Sequence, residues 1–261
     1  MRLHCLQHVP FEGPAAVADW ARTRGVELTV ARLYEDDAAK TLNLPYDVPA
    51  NEFMNIENQQ FSKSRNWAVW LPDLLDRYDP DPIRFYLTFI APESRDTDFT
   101  FEDFIRRNND ELVAAWGNLV NRVLGFAYKR YEGRVPPIGP AGLGEADEQI
   151  LAEVEAGFET VGQLLAGVKL KAALDEVLKL ARATNVYLDG KAPWHQIKED
   201  PAAAATSVYV ILRVVDNLKT ILAPILPHTA QRLHEYLGYE GQLFGTQHVV
   251  EYQEEARSHN A

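Results

Sequence analysis

Between Thr100 and Leu237 the apolar residues recur at the three- and four-residue spacing of a helix face, in successive blocks, and proline falls between the blocks and never inside them. Few folds can accommodate such a pattern. The first block opens at Thr100, a good N-cap, with Glu102 and Asp103 in the first turn, where the helix dipole favours acids. It carries Phe101, Phe104, Ile105, Leu112, Ala115, Leu119, Val123, Phe126 and Ala127 at a near-3.6 period and ends near Tyr131 and Gly133. The loop 135–144 holds three prolines and three glycines. Further helices are predicted over 145–165, with Phe158 on the buried face, over 170–188, over 202–222 and over 228–237. Amphipathic helices joined by short connections imply an antiparallel bundle.

The residues before this block are written differently. Arg2 to Gln7 read as a strand. Residues 15–24 read as a helix with Val17, Trp20 and Ala21 on one face and Gly25 as its C-cap, and residues 27–33 as a second strand. This β-α-β beginning then stops at Glu35-Asp36-Asp37. Residues 41–70 read as loops around a small hairpin, and 72–78 and 82–91 as short helices with proline in the first turn. The expected class is mainly α: a helical bundle preceded by a short α/β segment and a loop-rich connector. The expected divisions are 1–40, 41–95 and 96–261.

One cysteine, Cys5, precludes an internal disulfide and a Cys-x-x-Cys zinc site, and its position at a strand start suggests a small buried hydrophobe. The start of the chain lacks the pattern of a signal peptide, and the most apolar stretch, 208–226, is interrupted by Arg213, Asp216 and Lys219. A cytoplasmic protein without a membrane span is expected. The net charge of −12 opposes binding nucleic acid by general electrostatics, so any such function must rest on local basic groups. No metal spacing is found among His228, His234, His248 and His259; His234 is expected at the surface.

Chemistry is concentrated in two places. In Phe61-Ser62-Lys63-Ser64-Arg65-Asn66 one ammonium and two hydroxyls stand close enough in sequence to meet polyphosphate oxygens, although a solvated loop explains the triplet as well. In the bundle, Trp194 follows Pro193 in a connection between helices, so its indole is either an exposed platform for an unstacked base or a plug for the bundle end. The first bundle helix offers Asn121, Arg122, Lys129 and Arg130, with Arg134 just beyond; each is also explicable as a solvated helix face. Arg106, Arg107, Lys169, Lys171 and Lys179 could extend a basic track, while acids gather at 145–159, 199–200 and 251–255.

Several segments in order carry a resemblance. The stretch from Pro45 to Phe53 ahead of the Ser-Lys-Ser triplet, Asn66-Trp67 after it, Asp79-Pro80-Asp81-Pro82-Ile83-Arg84-Phe85-Tyr86-Leu87, Asp96-Thr97-Asp98-Phe99-Thr100, Trp116-Gly117-Asn118-Leu119-Val120-Asn121-Arg122 and Lys191-Ala192-Pro193-Trp194 are together similar to the methionyl-tRNA synthetase family, over about residues 41–261. The resemblance implies an anticodon-binding helical domain and a place in ATP-dependent ligation of methionine to tRNA. ATP and Mg2+ would serve the full reaction, with tRNA(Met) as partner and no zinc. It places Lys63, with Ser62 and Ser64, against the pyrophosphate leaving group. It places Trp194 under the first anticodon base, with Asn121, Arg122, Lys129 and Arg130 beside the anticodon.

The signature departs from the family pattern at Gln60 and Phe61, where Lys and Met are usual, and at Gly125 and Lys129, where some members carry Asn and Arg. No His-x-Gly-His occurs, so the chain alone is expected to lack the adenylate-forming core and to bind tRNA without charging it. Residues 1–37 instead resemble the opening of a class I glutamine amidotransferase domain, which suggests a fused or misjoined start. The alternative reading is a helical interaction protein without RNA recognition, favoured if Trp194 is buried.

Overall fold

The computed structural model describes residues 2–7, 14–32 and 49–243. The sequence features at 33–48 and the tail from 244, including His248, His259 and the acids at 251–255, lie outside these. The chain divides into two compact units, residues 1–49 and 50–261.

In the first unit, strands β1 (Arg2–Gln7) and β2 (Glu27–Arg32) pair in parallel, Arg2 opposite Glu27 and Gln7 opposite Arg32, with helix α1 (Ala15–Thr23) between them in sequence. Gly25 takes φ +62° and lets the chain leave the helix, as expected of a C-cap glycine. Contrary to the sequence expectation, only Ala21 of the predicted apolar face is buried; Val17 and Trp20 are exposed, with the Arg24 guanidinium 5.2 Å from the Trp20 ring centre. Cys5 is half-buried and not fully enclosed. A two-stranded sheet has too little surface to cover both a helix face and its own two sides.

The second unit starts with a three-stranded sheet. Strands β3 (Met54–Ile56) and β4 (Gln59–Gln60) form a hairpin in the loop-rich stretch, its second strand at 59–60 and not at the extended piece 67–70 expected from sequence; it turns through Glu57 and Asn58 at φ 47° and 61°, the left-handed pair that suits strand twist in a two-residue turn. The sequence reading missed the third strand, β5 (Thr97–Phe99), which lies parallel to β3 on its other edge. Short helices α2 (Leu71–Leu75) and α3 (Pro80–Phe89) follow β4 in the chain. They help to close a small core of Ile56, Leu74, Ile83, Tyr86, Ile90, Phe99 and Phe104. Its rings meet edge to face, Tyr86 with Phe99 at 5.2 Å and with Phe104 at 5.5 Å. The Tyr86 hydroxyl donates to Asp103 at 3.1 Å, and burial pushes this phenol up to about 12.

The long first helix predicted from Thr100 to Tyr131 is present but irregular. Thr100 caps α4 (Phe101–Arg107) by accepting from the Asp103 N–H at 3.1 Å. A π-helical segment (Asn108–Gly117) then intervenes before α5 (Asn118–Tyr131). Side chains engage carbonyls at both ends of this stretch: Asn108, its first residue, donates back to the Phe104 carbonyl of α4 at 2.9 Å, and Asn185 of a later helix donates to the Ala115 carbonyl at 2.8 Å. Carbonyls engaged this way are not needed by the regular ladder, which accommodates the wider turn.

The bundle is completed by α6 (Glu145–Ala166), α7 (Leu170–Lys191), α8 (Pro193–Glu199), α9 (Pro201–Leu222) and α10 (Pro227–Tyr236). The sequence expected only a connection where α8 forms. Helix α9 runs through the middle, burying Val208, Val210, Ile211, Val214, Val215 and Leu218 against Leu119, Val154, Leu174, Val177 and Leu180. Phe158, expected inside, is exposed.

Helix α3 joins the small core to the bundle. Ile83 and Tyr86 belong to the first, while Phe85 belongs to the second. Arg84 donates to the carbonyls of Pro224 (2.8 Å) and Ile225 (3.0 Å), and buried Asp81 accepts from the N–H groups of His228 and Thr229 at the start of α10. After α10, Tyr239 stacks on His234 at 4.7 Å and donates to Asp216. Buried Lys219 donates to Asp216 at 2.6 Å and to His234 Nδ1 at 3.0 Å, so this imidazole is half-buried and not the surface group expected. Loss of hydration, with the Lys219 charge second, lowers the His234 pKa.

Candidate nucleic-acid interface

Helix α7 ends and α8 begins just before Trp194, with Arg122 of α5 alongside. Helix α7 stops at Lys191; Ala192 turns the chain at φ 40°, and Pro193 occupies the first position of α8, where no N–H is needed. The turn is held by the N–H of Ala192 on the Leu188 carbonyl (2.8 Å) and that of His195 on the Ala192 carbonyl (2.8 Å). On the far side of α8, Ser207 of α9 donates to the Gln196 side chain at 2.9 Å. Trp194 thus sits on a well-fastened corner, half-buried against the bundle core. It is neither the free platform nor the buried plug that the sequence offered as alternatives.

One face of the indole already carries a planar cation. The Arg122 guanidinium lies 4.8 Å from the Trp194 ring centre and is ion-paired with Asp189 in the last turn of α7. The two sequence candidates are therefore adjacent, and Asp189, which sequence reasoning missed, helps to hold them. Its acidic side chain at an exposed helix position gave no signal of its own.

Asn121, Lys129 and Arg130 are exposed on α5, and Arg134 is exposed in the loop after it. Lys129 follows Arg122 by seven residues, which puts both on nearly the same stripe, about 10 Å apart along the axis. Among the described residues Lys129, Arg130 and Arg134 make no ion pair, so their charges are available. A Cβ added at Gly125 would meet nothing within 4 Å; this glycine answers no steric need. Beside the stripe, a groove of about 560 Å³ is lined by Gly125, Tyr128, Lys129, Arg134, Leu212 and Tyr236, with the rings of Tyr128 and Tyr236 exposed. Sequence reasoning passed over Tyr128, although an aromatic directly before two cations is the interleaving that suits base stacking.

The suggested extension of the basic track is weaker. Arg106 and Arg107 both pair with Asp103, Arg107 also stacks on Phe89, and Lys179 pairs with Glu176. Lys169 and Lys171 flank the start of α7, where the Lys171 N–H is bound by Glu93 at 2.9 Å.

The Ser-Lys-Ser triplet forms a tight turn. Ser62 and Trp67 exchange backbone hydrogen bonds at 2.8 and 2.9 Å, Asn66 takes φ 51°, and the Ser62 and Ser64 hydroxyls lie 3.3 Å apart. Lys63 is exposed at the tip, with Ser64 exposed and Ser62 half-buried. These donors fit phosphate oxygens. Among the described residues no group of three or more His, Cys, Asp or Glu could hold a metal ion. Among them no helix is long and apolar enough to cross a membrane.

Comparison with known proteins bears on this geometry. A family model described as tRNA synthetases class I (M) matches residues 34–124, and one for the anticodon binding domain of methionyl tRNA ligase matches residues 135–255. The chain is 59% identical over 206 residues to the methionine–tRNA ligase of Thermomicrobium roseum, covering 79% of this chain and 35% of that protein. It is 54% identical over 204 residues to that of Chloroflexus aggregans (78% and 34%), and 42% identical over 208 residues to that of Pyrococcus horikoshii (79% and 28%). The chain thus spans about a third of the length of these relatives. Among solved structures it is similar in fold to the free-state methionyl-tRNA synthetase of Mycobacterium tuberculosis, with TM-score 0.66 and 22% identity over 87% of this chain and 42% of that one. The same enzyme in complex with methionyl-adenylate gives 0.65 and 22%, over 87% and 46%. Nothing in these comparisons supports the amidotransferase resemblance of residues 1–37.

Proposed function

Because the chain belongs to the methionyl-tRNA synthetase family, we propose that its bundle binds tRNA(Met) at the anticodon, as the C-terminal portion of a methionine–tRNA ligase. The observation that carries this reading is the corner at Trp194: a braced indole beside Arg122, with the exposed cations Lys129, Arg130 and Arg134 along the adjoining helix and loop. A ring held at fixed height can stack an extruded base, and exposed cations can meet the phosphates on either side of it. Residues 96–261 are the binding domain in this reading. Residues 41–95 carry the Ser62-Lys63-Ser64 turn, which would meet the polyphosphate of ATP, with Mg2+ and methionine, once a nucleotide-binding core is present. A cytoplasmic site of action goes with this reading.

Titration of a tRNA(Met) transcript into the chain over a range of salt concentrations tests it. Three phosphate contacts by Lys129, Arg130 and Arg134 give a log–log slope of about −2 to −3. Substituting all three by Ala should flatten that slope towards zero. A slope unchanged by the triple substitution would place the tRNA elsewhere. Methionine-dependent exchange between ATP and pyrophosphate should be absent in the chain alone.

A further inference from the structure

One carboxylate at the far side of the Trp194 corner is unused by the reading above. Asp147 sits at the third position of α6 with its side chain 5% exposed. One oxygen accepts from the Gly144 N–H at 2.8 Å, an ordinary helix cap. The other accepts from the Tyr187 hydroxyl at 2.5 Å and from the Lys191 ammonium at 2.7 Å. Tyr187 and Lys191 occupy the last turn of α7, and Lys191 is three residues before Trp194. That same turn presents Asp189, which holds Arg122 against the indole.

Capping α6 needs only the first of these oxygens. The second is spent wholly on α7, and its two donors bracket the residue that braces Arg122. Ala192, immediately after Lys191, stands in a left-handed conformation that is unfavourable for a residue with a Cβ. Such a turn persists only where its surroundings hold it. Burial alone would raise the Asp147 carboxyl, but the hydrogen bonds from Lys191, Tyr187 and Gly144 and the Lys191 charge outweigh it, and the pKa lies below the ordinary value.

We propose that Asp147 is a positioning residue for RNA binding: through Lys191 and Tyr187 it fixes the turn from α7 to α8 and so sets the height and tilt of the Trp194 ring. The proposal rests on the reading of Trp194 as a stacking surface, and its test separates the two. The variants are Asp147→Asn, Trp194→Ala and both together, in the full chain, each checked for an unchanged circular dichroism spectrum. The readout is the dissociation constant for a tRNA(Met) transcript. Asn keeps a cap for α6 and leaves the Lys191 charge in place, so a loss in Asp147→Asn is neither a lost helix nor a lost phosphate contact.

Trp194→Ala should weaken binding roughly tenfold or more. Asp147→Asn should weaken it about fivefold in the parent chain, without altering the salt slope, and have no further effect in the Trp194→Ala background. Tyr187→Phe, which leaves the α6 cap untouched, should reproduce part of the loss. If Trp194→Ala binds as the parent does, the stacking reading fails. If Trp194→Ala weakens binding but Asp147→Asn has no effect in the parent chain, or weakens the Trp194→Ala chain as much as the parent, the positioning role fails and Asp147 is a structural cap alone.

Discussion

At the scale of single residues, the site depends on charges whose partners are short-range and specific. Asp147 is the clearest case, since it gathers two donors from α7 and one from its own helix start. Its folded pKa lies below the ordinary 3.8. The folded chain therefore takes up that proton only at lower pH than the unfolded chain does. The stabilisation is complete above about pH 4 and is lost as pH falls through the folded pKa. Asp147→Asn should cost about 1–3 kcal/mol near neutral pH, and the gap between variant and parent should narrow as the solution is acidified below about pH 4. Urea denaturation at a series of pH values measures this. Parallel curves down to the most acid point would show that the carboxylate's charge contributes nothing.

At the scale of elements, the helices with continuous apolar faces were legible from spacing alone, and so was the Thr100 cap. What the sequence hid has local causes. In the π-helical segment the Ala115 carbonyl is bound by Asn185 from a different helix, a contact that no window along the chain contains. Helix α8 is only one and a half to two turns long, too short for a period to show. Strand β5 has three residues and is defined by a partner some forty positions earlier. The candidate site was half legible: Trp194 and Arg122 stood out by residue type, whereas Asp189 and Asp147 look in sequence like ordinary helix-surface acids. The loop between α5 and α6 is likewise set by a remote contact. A Cβ on Gly139 would stand 2.7 Å from the Ala202 carbonyl oxygen, and the Gly139 N–H is bound by Thr206 at 2.9 Å. Backbone cannot yield as a side-chain tip can, so Gly139→Ala should destabilise the bundle by about 1–3 kcal/mol. A thermal melt of that variant checks this; an unchanged midpoint would mean that the loop lifts away from α9 without cost.

At the scale of the whole molecule, a net charge of −12 and an RNA-binding role are compatible because the charges are sorted. The start of α6 carries Glu145, Asp147 and Glu148, whereas the last turn of α5 and the loop after it carry Lys129, Arg130 and Arg134. In the proposed role, a limited basic patch on an acidic body would disfavour indiscriminate binding and leave selectivity to the groups at Trp194. Helix α3 places one face in each of two cores and is clamped to the turn between α9 and α10, so the small core and the bundle share a common wall. The decisive measurement is a titration of two tRNA(Met) transcripts into the chain at low and moderate salt, one with its CAU anticodon intact and one with it changed. An anticodon reader prefers CAU by roughly five- to a hundredfold at both salt concentrations, the range expected when one stacked or hydrogen-bonded base is lost. Equal affinity for the two transcripts, or binding to neither, would contradict anticodon recognition and leave a helical interaction module in its place.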